Sequence, residues 1–387
     1  MSMAPTDLKF IPLSVPCIRG KEWDYVKECL DTGWVSTAGP WVGKFEQMFV
    51  ERLGVSHAVS CMNGTAGLHI ALKVAGVEPG TEVITSNVTF IATANAISYA
   101  NAIPVVIDAS LDTWQMDPNL LIQWLEEHAE QRTDGVFNRV TGRRISAIMP
   151  VHILGHSCDM DRVLALAERY DLPVIEDSTE ALGGTYKGRP LGTLGTFGCY
   201  SFNGNKLITT GGGGMIVSHW PEGAKRAKHL TTTAKVDDEE FIHDEVGYNY
   251  RLTNVLAALG AAQMEQLDDF LAEKKAIRDR YQAALGHRDD LQLLPEPEWN
   301  QSALWLYTIR LKGRSSRPLL QHLKANQIQS RPLWQPMNQS PAHPSLHGTP
   351  CPNSDHLSRE CLSLPCSVGL SEEDQDRVVR SILDFLG

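Results

Sequence analysis

A chain of 387 residues is long enough for roughly two to three domains and a sizeable core. Its formal net charge of -11, with 42% hydrophobic and 21% charged residues, fits an ordinary globular protein and leaves no basic footprint for nucleic acid. Eight cysteines without a C-x-x-C pair or a metal spacing read as reduced thiols of a cytoplasmic protein, and the absence of a leader or a long apolar run argues against export and membrane spanning.

From Pro12 to Gly54 the chain carries Trp23, Trp34 and Trp41 among glycines, and Phe45, Met48 and Phe49 share one face of a helix expected over 44–53. This segment reads either as a lid or dimer arm or as a packed N-terminal strap. A strand over 58–61 follows, then Asn63-Gly64-Thr65-Ala66-Gly67 opens a helix running to Val74. Free N–H groups at such a helix start suit a phosphate, and Thr65 adds a hydroxyl donor, although glycine turns before helices are common. A strand over 82–86 leads through Phe90 into a helix that buries Ile91, Ala94 and Ile97. Strands over 104–108 and 144–150 bracket an amphipathic helix over 118–130 and the polar hairpin "QRTDGVFNRVTGRR", with turns at Asp134-Gly135 and Thr141-Gly142. Arg139, Arg143 and Arg144 of this hairpin are open to two readings, a diphosphate contact or a solvated basic loop. His152 and His156 have a helical metal spacing but flank Leu154-Gly155 without a third ligand, so no metal site is expected.

A helix over 159–170 and a strand over 173–176 then deliver Asp177 and Glu180 to a strand end. The repeated strand and helix units predict a mainly parallel sheet with right-handed crossovers, and active residues at the strands' C-terminal ends. Ser201-Phe202-Asn203-Gly204-Asn205-Lys206 sits between a short apolar run and the cluster Gly211 to Gly214. An unprotonated amine condenses with a carbonyl, and burial with neighbouring charge lowers a lysine pKa enough to allow it, so Lys206 is read as the reactive centre. The glycine cluster lacks the order of a phosphate-binding loop and precedes a strand over 215–217, so it reads as a tight backbone passage. The basic, threonine-rich stretch 225–235 and the acidic stretch 237–245 read as a surface loop. Beyond it, a single long helix is expected from near Thr253, burying Val255, Leu256, Leu259 and Ala262. A strand over 302–309 follows, with Leu304 and Leu306 on one face and Trp305, Tyr307 and Ile309 on the other, then helices over 318–325 and 372–386.

The stretches "IEDSTEALGG", "YSFNGNKLITTGGGG" and "GYNYRLTNVLAALGAAQ" resemble the DegT-like sugar-nucleotide aminotransferases, pyridoxal-phosphate enzymes of fold type I that aminate keto-sugars. Similarity runs from about Ile11, through "GWVSTAGPWVGKFE", to "LPCSVGLSEED". The resemblance implies an α/β fold with a mainly parallel sheet in a large cofactor-binding domain with an N-terminal arm, 1–267, and a smaller α+β domain, 268–387. It implies pyridoxal phosphate held at its phosphate by Gly64, Thr65, Ala66 and Ser201, with Phe90 stacked on the ring, Asp177 at the ring nitrogen and Lys206 as anchor and proton carrier. Asn249 is expected to reach the same phosphate from the neighbouring chain, which implies a homodimer with shared active sites. Arg331 and Trp334, together with "VSTAGP", are expected at the substrate mouth.

Glu180 stands where the commonest family pattern has glutamine or histidine beside the ring's phenolic oxygen. A carboxylate there is protonated, turned toward a sugar hydroxyl, or bonded through water. Its "TEALG" setting resembles the branch that aminates UDP-linked 4-keto-6-deoxy-N-acetyl sugars toward bacillosamine and legionaminic acid, components of lipopolysaccharide or capsule. The expected reaction is therefore amination at C4 with L-glutamate as donor. Two alternatives stand beside it: GDP-4-keto-6-deoxymannose as substrate, giving GDP-perosamine, and a non-catalytic regulatory protein that binds pyridoxal phosphate or a sugar. A dehydratase branch carries histidine in place of the lysine, and Lys206 sets it aside.

Overall fold

The computed structural model describes residues 8–237 and 239–387. Residues 1–7, the start of the stretch read above as lacking a leader, and Asp238 of the acidic segment lie outside the described residues.

Strands His57–Cys61, Gly214–Ser218, Phe197–Ser201 and Ile175–Asp177 are hydrogen-bonded in that order. The single bridges Ile148 to Val174 and Val151 to Asp177 carry the order on to Arg144–Met149, Glu82–Ser86 and Ile103–Ile107. Only Gly214–Ser218 runs against its neighbours in this series; the other pairings are parallel, as expected. Glu82–Ser86, Ile175–Asp177 and Gly214–Ser218 are buried at every position rather than at alternate ones because helices cover both faces. On one face Val83, Ala147 and Met149 pack with helices Gly64–Val74, Ala92–Tyr99 and Pro221–Thr231; on the other Ile84 and Ile148 pack with Pro118–His128 and Met160–Tyr170. Asp117 caps the first of that second pair, accepting the Asn119 N–H at 2.8 Å. The polar hairpin forms as read, Ala129–Arg132 against Gly135–Asn138, and extends the sheet edge.

A second, antiparallel sheet of Leu291–Leu293, Tyr307–Leu311, Cys361–Leu364 and Arg331–Pro332 is backed by helices Arg317–Ala325 and Glu372–Leu386. The N-terminal Ile11 and Leu13 are buried in this later core, and Ile11 bridges Ile328. His347–Gly348 crosses back to pair with Ile103–Ile107. Asp108, just past that strand, accepts the N–H groups of Asn353 and Ser354 at 2.9 and 2.8 Å and so holds the start of helix Pro352–Glu360. Among the described residues no helix is long and apolar enough to cross a membrane.

Three expectations are corrected. The stretch from Lys225 to Thr231 is helical, inside Pro221–Thr231, because Pro221 opens the turn and Ala224, Ala227 and Leu230 bury one face. The long helix is two, Asn254–Met264 and Leu267–Leu285, broken at Glu265 and Gln266. In the first of these Val255, Leu256 and Leu259 are only partly buried, since the small residues Ala257, Ala258 and Ala261 face the core that contains Phe45 and Phe49. The strand expected over 302–309 is regular only from Tyr307, and Ala303 to Ile309 are buried on both faces, so no alternation is realised; Leu304 has a positive φ of 52°.

Candidate active site

Three parallel-sheet ends meet at one edge. Asp177 closes its strand, Ser201 closes the neighbouring strand with Cys199 paired to Asp177, and Asn63-Gly64 follows the strand at His57–Cys61. They line a cavity of about 380 Å³, together with Thr65, Phe90, Glu180 and Lys206. Arg331, from the second sheet, and Trp334 also line it.

Lys206 leaves the sheet on a pinned loop. Phe202 N–H donates to Gly213 O at 2.8 Å, Thr210 N–H to Phe202 O at 2.9 Å, and Lys206 N–H to Asn203 O at 2.9 Å, so Gly211 to Gly214 form the close backbone return that was read from sequence. The side chain is 13% exposed, and its Nζ lies 3.6 Å from Glu180 Oε1 and 3.9 Å from the Trp305 ring centroid. Burial lowers the Lys206 pKa, opposed by the charges of Glu180 and Asp177. Burial also pushes the Glu180 carboxyl up to about 7, opposed by Lys206 and by the Leu154 N–H that it accepts at 2.8 Å. Of the three readings of Glu180, the neutral carboxyl is the one that this environment favours below that pH.

Asp177 is fixed from two sides: Thr93 Oγ1 donates to its Oδ2 at 2.7 Å and the Thr179 N–H to its Oδ1 at 3.2 Å. The phosphate cradle is the start of helix Gly64–Val74. The N–H groups of Gly64 and Thr65 have no acceptor within the helix. Gly64 leaves room that any side chain would fill, because a Cβ there would stand 2.9 Å from both Ser201 Cβ and Thr179 Cγ2. Ala66 does not fit the expectation: its N–H donates to the capping Asn63 Oδ1 at 2.8 Å, and Ala66 is absent from the cavity wall. Phe90 is 54% exposed against the cavity, which sets aside the plain core reading.

The remaining readings fall away from the cavity in this chain. Asn249 is exposed and lies outside its own chain's cavity, in the segment bridged to Thr232. Residues 35–40, "VSTAGP", do not line the cavity either; Ser36 O accepts the Asn254 N–H, which ties the segment to a helix start. Arg139 donates to the Glu126 and Glu127 carbonyls and Arg143 lies 4.0 Å from Glu82, so the hairpin arginines sit at the strands' opposite, N-terminal ends. His152 Nδ1 accepts the Cys158 N–H while Nε2 faces Glu176 at 2.9 Å, and His156 Nδ1 faces Ser302 Oγ at 2.7 Å. Thr93 and Trp305 were missed as site residues, since each reaches the site by a tertiary contact that no spacing encodes.

The residues present suit the pyridoxal phosphate that the resemblance implies. Backbone donors beside Ser201 have the chemistry to take a phosphate, a tethered carboxylate has that to take a pyridine nitrogen, and Asn205 Oδ1 is left buried at the site without a partner among the described residues. Comparison with known proteins agrees. The family model described as the DegT/DnrJ/EryC1/StrS aminotransferase family matches residues 16–383. The chain is similar to EpsN of Bacillus subtilis, a name given provisionally to a pyridoxal phosphate-dependent aminotransferase, at 39% identity over 97% of this chain and 95% of that one. It is 37% identical to the GDP-perosamine synthase of Caulobacter vibrioides, covering 97% of this chain and 98% of the relative. Among solved structures, the PLP-form of Spr1654 from Streptococcus pneumoniae superposes with a TM-score of 0.86 at 26% identity, covering 96% and 97% of the two chains.

Proposed function

The chain belongs to the DegT/DnrJ/EryC1/StrS aminotransferase family, and on that premise we propose that it aminates C4 of a nucleotide-linked 4-keto-6-deoxy sugar, with L-glutamate as donor. It is a pyridoxal-phosphate-dependent sugar aminotransferase of fold type I. Cofactor-dependent amino transfer is supported above all by one observation: a nearly buried lysine amine shares a cavity with a tethered Asp177, Ser201 and an open helix start.

Pyridoxal phosphate, when bound, supplies an electron sink for the pair left on the carbon beside the amino nitrogen. Asp177, oriented by Thr93 and Thr179, would keep a pyridine nitrogen protonated as its ion-pair partner. Ser201 and the N–H groups of Gly64 and Thr65 would hold the phosphate, and Phe90 would shield the ring from water. Lys206 would hold the cofactor through its amine and, with that amine free, would carry the proton on and off the reacting carbon in both halves of the transfer. Asn249, outside its own cavity, serves the neighbouring chain's phosphate, so the working unit is a homodimer. In this reading residues 1–267 carry the cofactor, while 268–387 bring Arg331 to a substrate diphosphate and Trp334 to the mouth.

For the nucleotide, similarity over nearly the whole chain to a GDP-perosamine synthase supports GDP-4-keto-6-deoxymannose, the second choice on sequence. The "TEALG" setting of Glu180 supports the UDP-linked N-acetyl sugar. We take the GDP sugar first, with its amino product destined for lipopolysaccharide or capsule. Lys206→Ala is expected to fold, yet to lose both the visible absorption of bound cofactor and amino transfer; turnover near the parent rate would sink the reading. Measuring kcat/KM for the two sugar nucleotides then tests the nucleotide choice: a clear preference for the UDP sugar overturns it and leaves amino transfer intact.

A further inference from the structure

The cavity wall contains an arrangement that the reaction as described does not use. Lys206 Nζ lies over the Trp305 ring, 3.9 Å from its centroid, and 3.6 Å from Glu180 Oε1. Both walls of this slot hang on one residue. Leu154 donates its N–H to Glu180 Oε2 at 2.8 Å, while its carbonyl accepts the Trp305 N–H at 3.2 Å. It reaches both because its backbone is left-handed, with φ 60°, a conformation that a leucine adopts only when its surroundings hold it there. Trp305 is fixed twice more: its Nε1 donates to Asn205 O at 2.7 Å, next to the lysine, and its carbonyl accepts the buried Lys274 ammonium at 2.8 Å. An aromatic face and a carboxyl oxygen, both rigidly held, are what an ammonium seeks once it has lost water.

We propose that Glu180 and Trp305 form a holding slot for the detached amine of Lys206, the place the lysine occupies whenever it is not joined to the cofactor. Trp305 and Glu180 touch the reacting amine itself. The slot keeps the nitrogen on one side of the cavity while an amino substrate occupies the centre, and offers Glu180 as a partner that takes or returns its proton. The charged groups facing the amine are Glu180, Asp177 and Arg331. The first two favour its ammonium form and Arg331 opposes it, while burial works against the charge.

The inference rests on the reading of Lys206 as the cofactor lysine, but its test does not. In the full-length, cofactor-free protein, trace acetylation with acetic anhydride across pH, followed by peptide mass spectrometry, gives the titration midpoint of Lys206 itself. Glu180→Gln keeps an acceptor for Leu154 and removes the negative partner. Trp305→Leu removes the aromatic face, and Trp305→Phe restores one. Glu180→Gln and Trp305→Leu are each expected to shift the midpoint down and to raise labelling at neutral pH by about threefold or more, with Trp305→Phe closer to the parent. General loosening of the fold would instead relieve the burial of the amine and move the midpoint up, toward that of an ordinary lysine. If Trp305→Leu fails to fold, Glu180→Gln decides alone. An unmoved midpoint in Glu180→Gln overturns the slot. Amino transfer near the parent rate by Lys206→Ala would instead remove the cofactor role and leave the labelling result standing.

Discussion

At the residue scale, the site's chemistry follows from how few side chains must be buried with unlike charge. Glu180 gains a proton readily in the fold because burial outweighs the help from Lys206 and Leu154 N–H, which raises its pKa from an ordinary 4.5 to about 7. A raised folded pKa means that the folded state binds the proton more tightly than the unfolded one. Its stabilising share is complete below about 4.5 and is lost as pH rises through about 7, a change on the order of 3 kcal/mol. Without cofactor, the parent should therefore lose melting temperature between pH 5 and 8, whereas Glu180→Gln, neutral throughout, should lose less. Parallel melting curves for the two proteins would refute this. Lys206, Asp177 and Ser201 were legible in sequence because one strand end or one short loop carries each motif. Trp305 and Leu154 were not, since the first comes from a distant segment and the second acts only through its backbone.

At the scale of elements, strand ends were easier to read than helix limits. An apolar run of five residues between turns has few alternatives, and the strands at Glu82–Ser86 and Ile175–Asp177 fell where expected or within a residue or two. The helix Pro221–Thr231 was hidden because its lysines and arginine, and the threonines that end and follow it, suggested a surface loop, while its buried face carries, beside Leu230, only small residues such as Ala224 and Ala227 that weigh little in any hydrophobic pattern. Small residues also decide the cradle. Gly64→Ala is expected to force Ser201 and Thr179 aside, costing about 1–3 kcal/mol of stability by overpacking and weakening cofactor retention. Thermal melting and the absorbance of retained cofactor would both have to stay at parent levels for this to be wrong.

At the scale of the molecule, the two sheets are joined by more than a linker, through His347–Gly348, Asp108 and the N-terminal strap, so Trp305 and Arg331 are presented to the cavity by a braced structure. What a single chain leaves open is the neighbour's share. Asn249→Ala should weaken cofactor retention while leaving the melting temperature of the cofactor-free protein near the parent's, and dilution to monomers should weaken retention likewise. A monomer that holds cofactor as tightly as the dimer would dismiss the shared site. The cysteines carry a practical consequence of the same braced packing. Seven are buried and only Cys17 is partly open, at a narrow cleft that Lys206, Trp305 and Lys274 also line. A maleimide dye should therefore couple at one position per native chain, with the other thiols appearing only in denaturant. The protein thus holds a fluorophore attachment point at a cleft that Lys206 also lines, ready to report ligand arrival without any engineered cysteine.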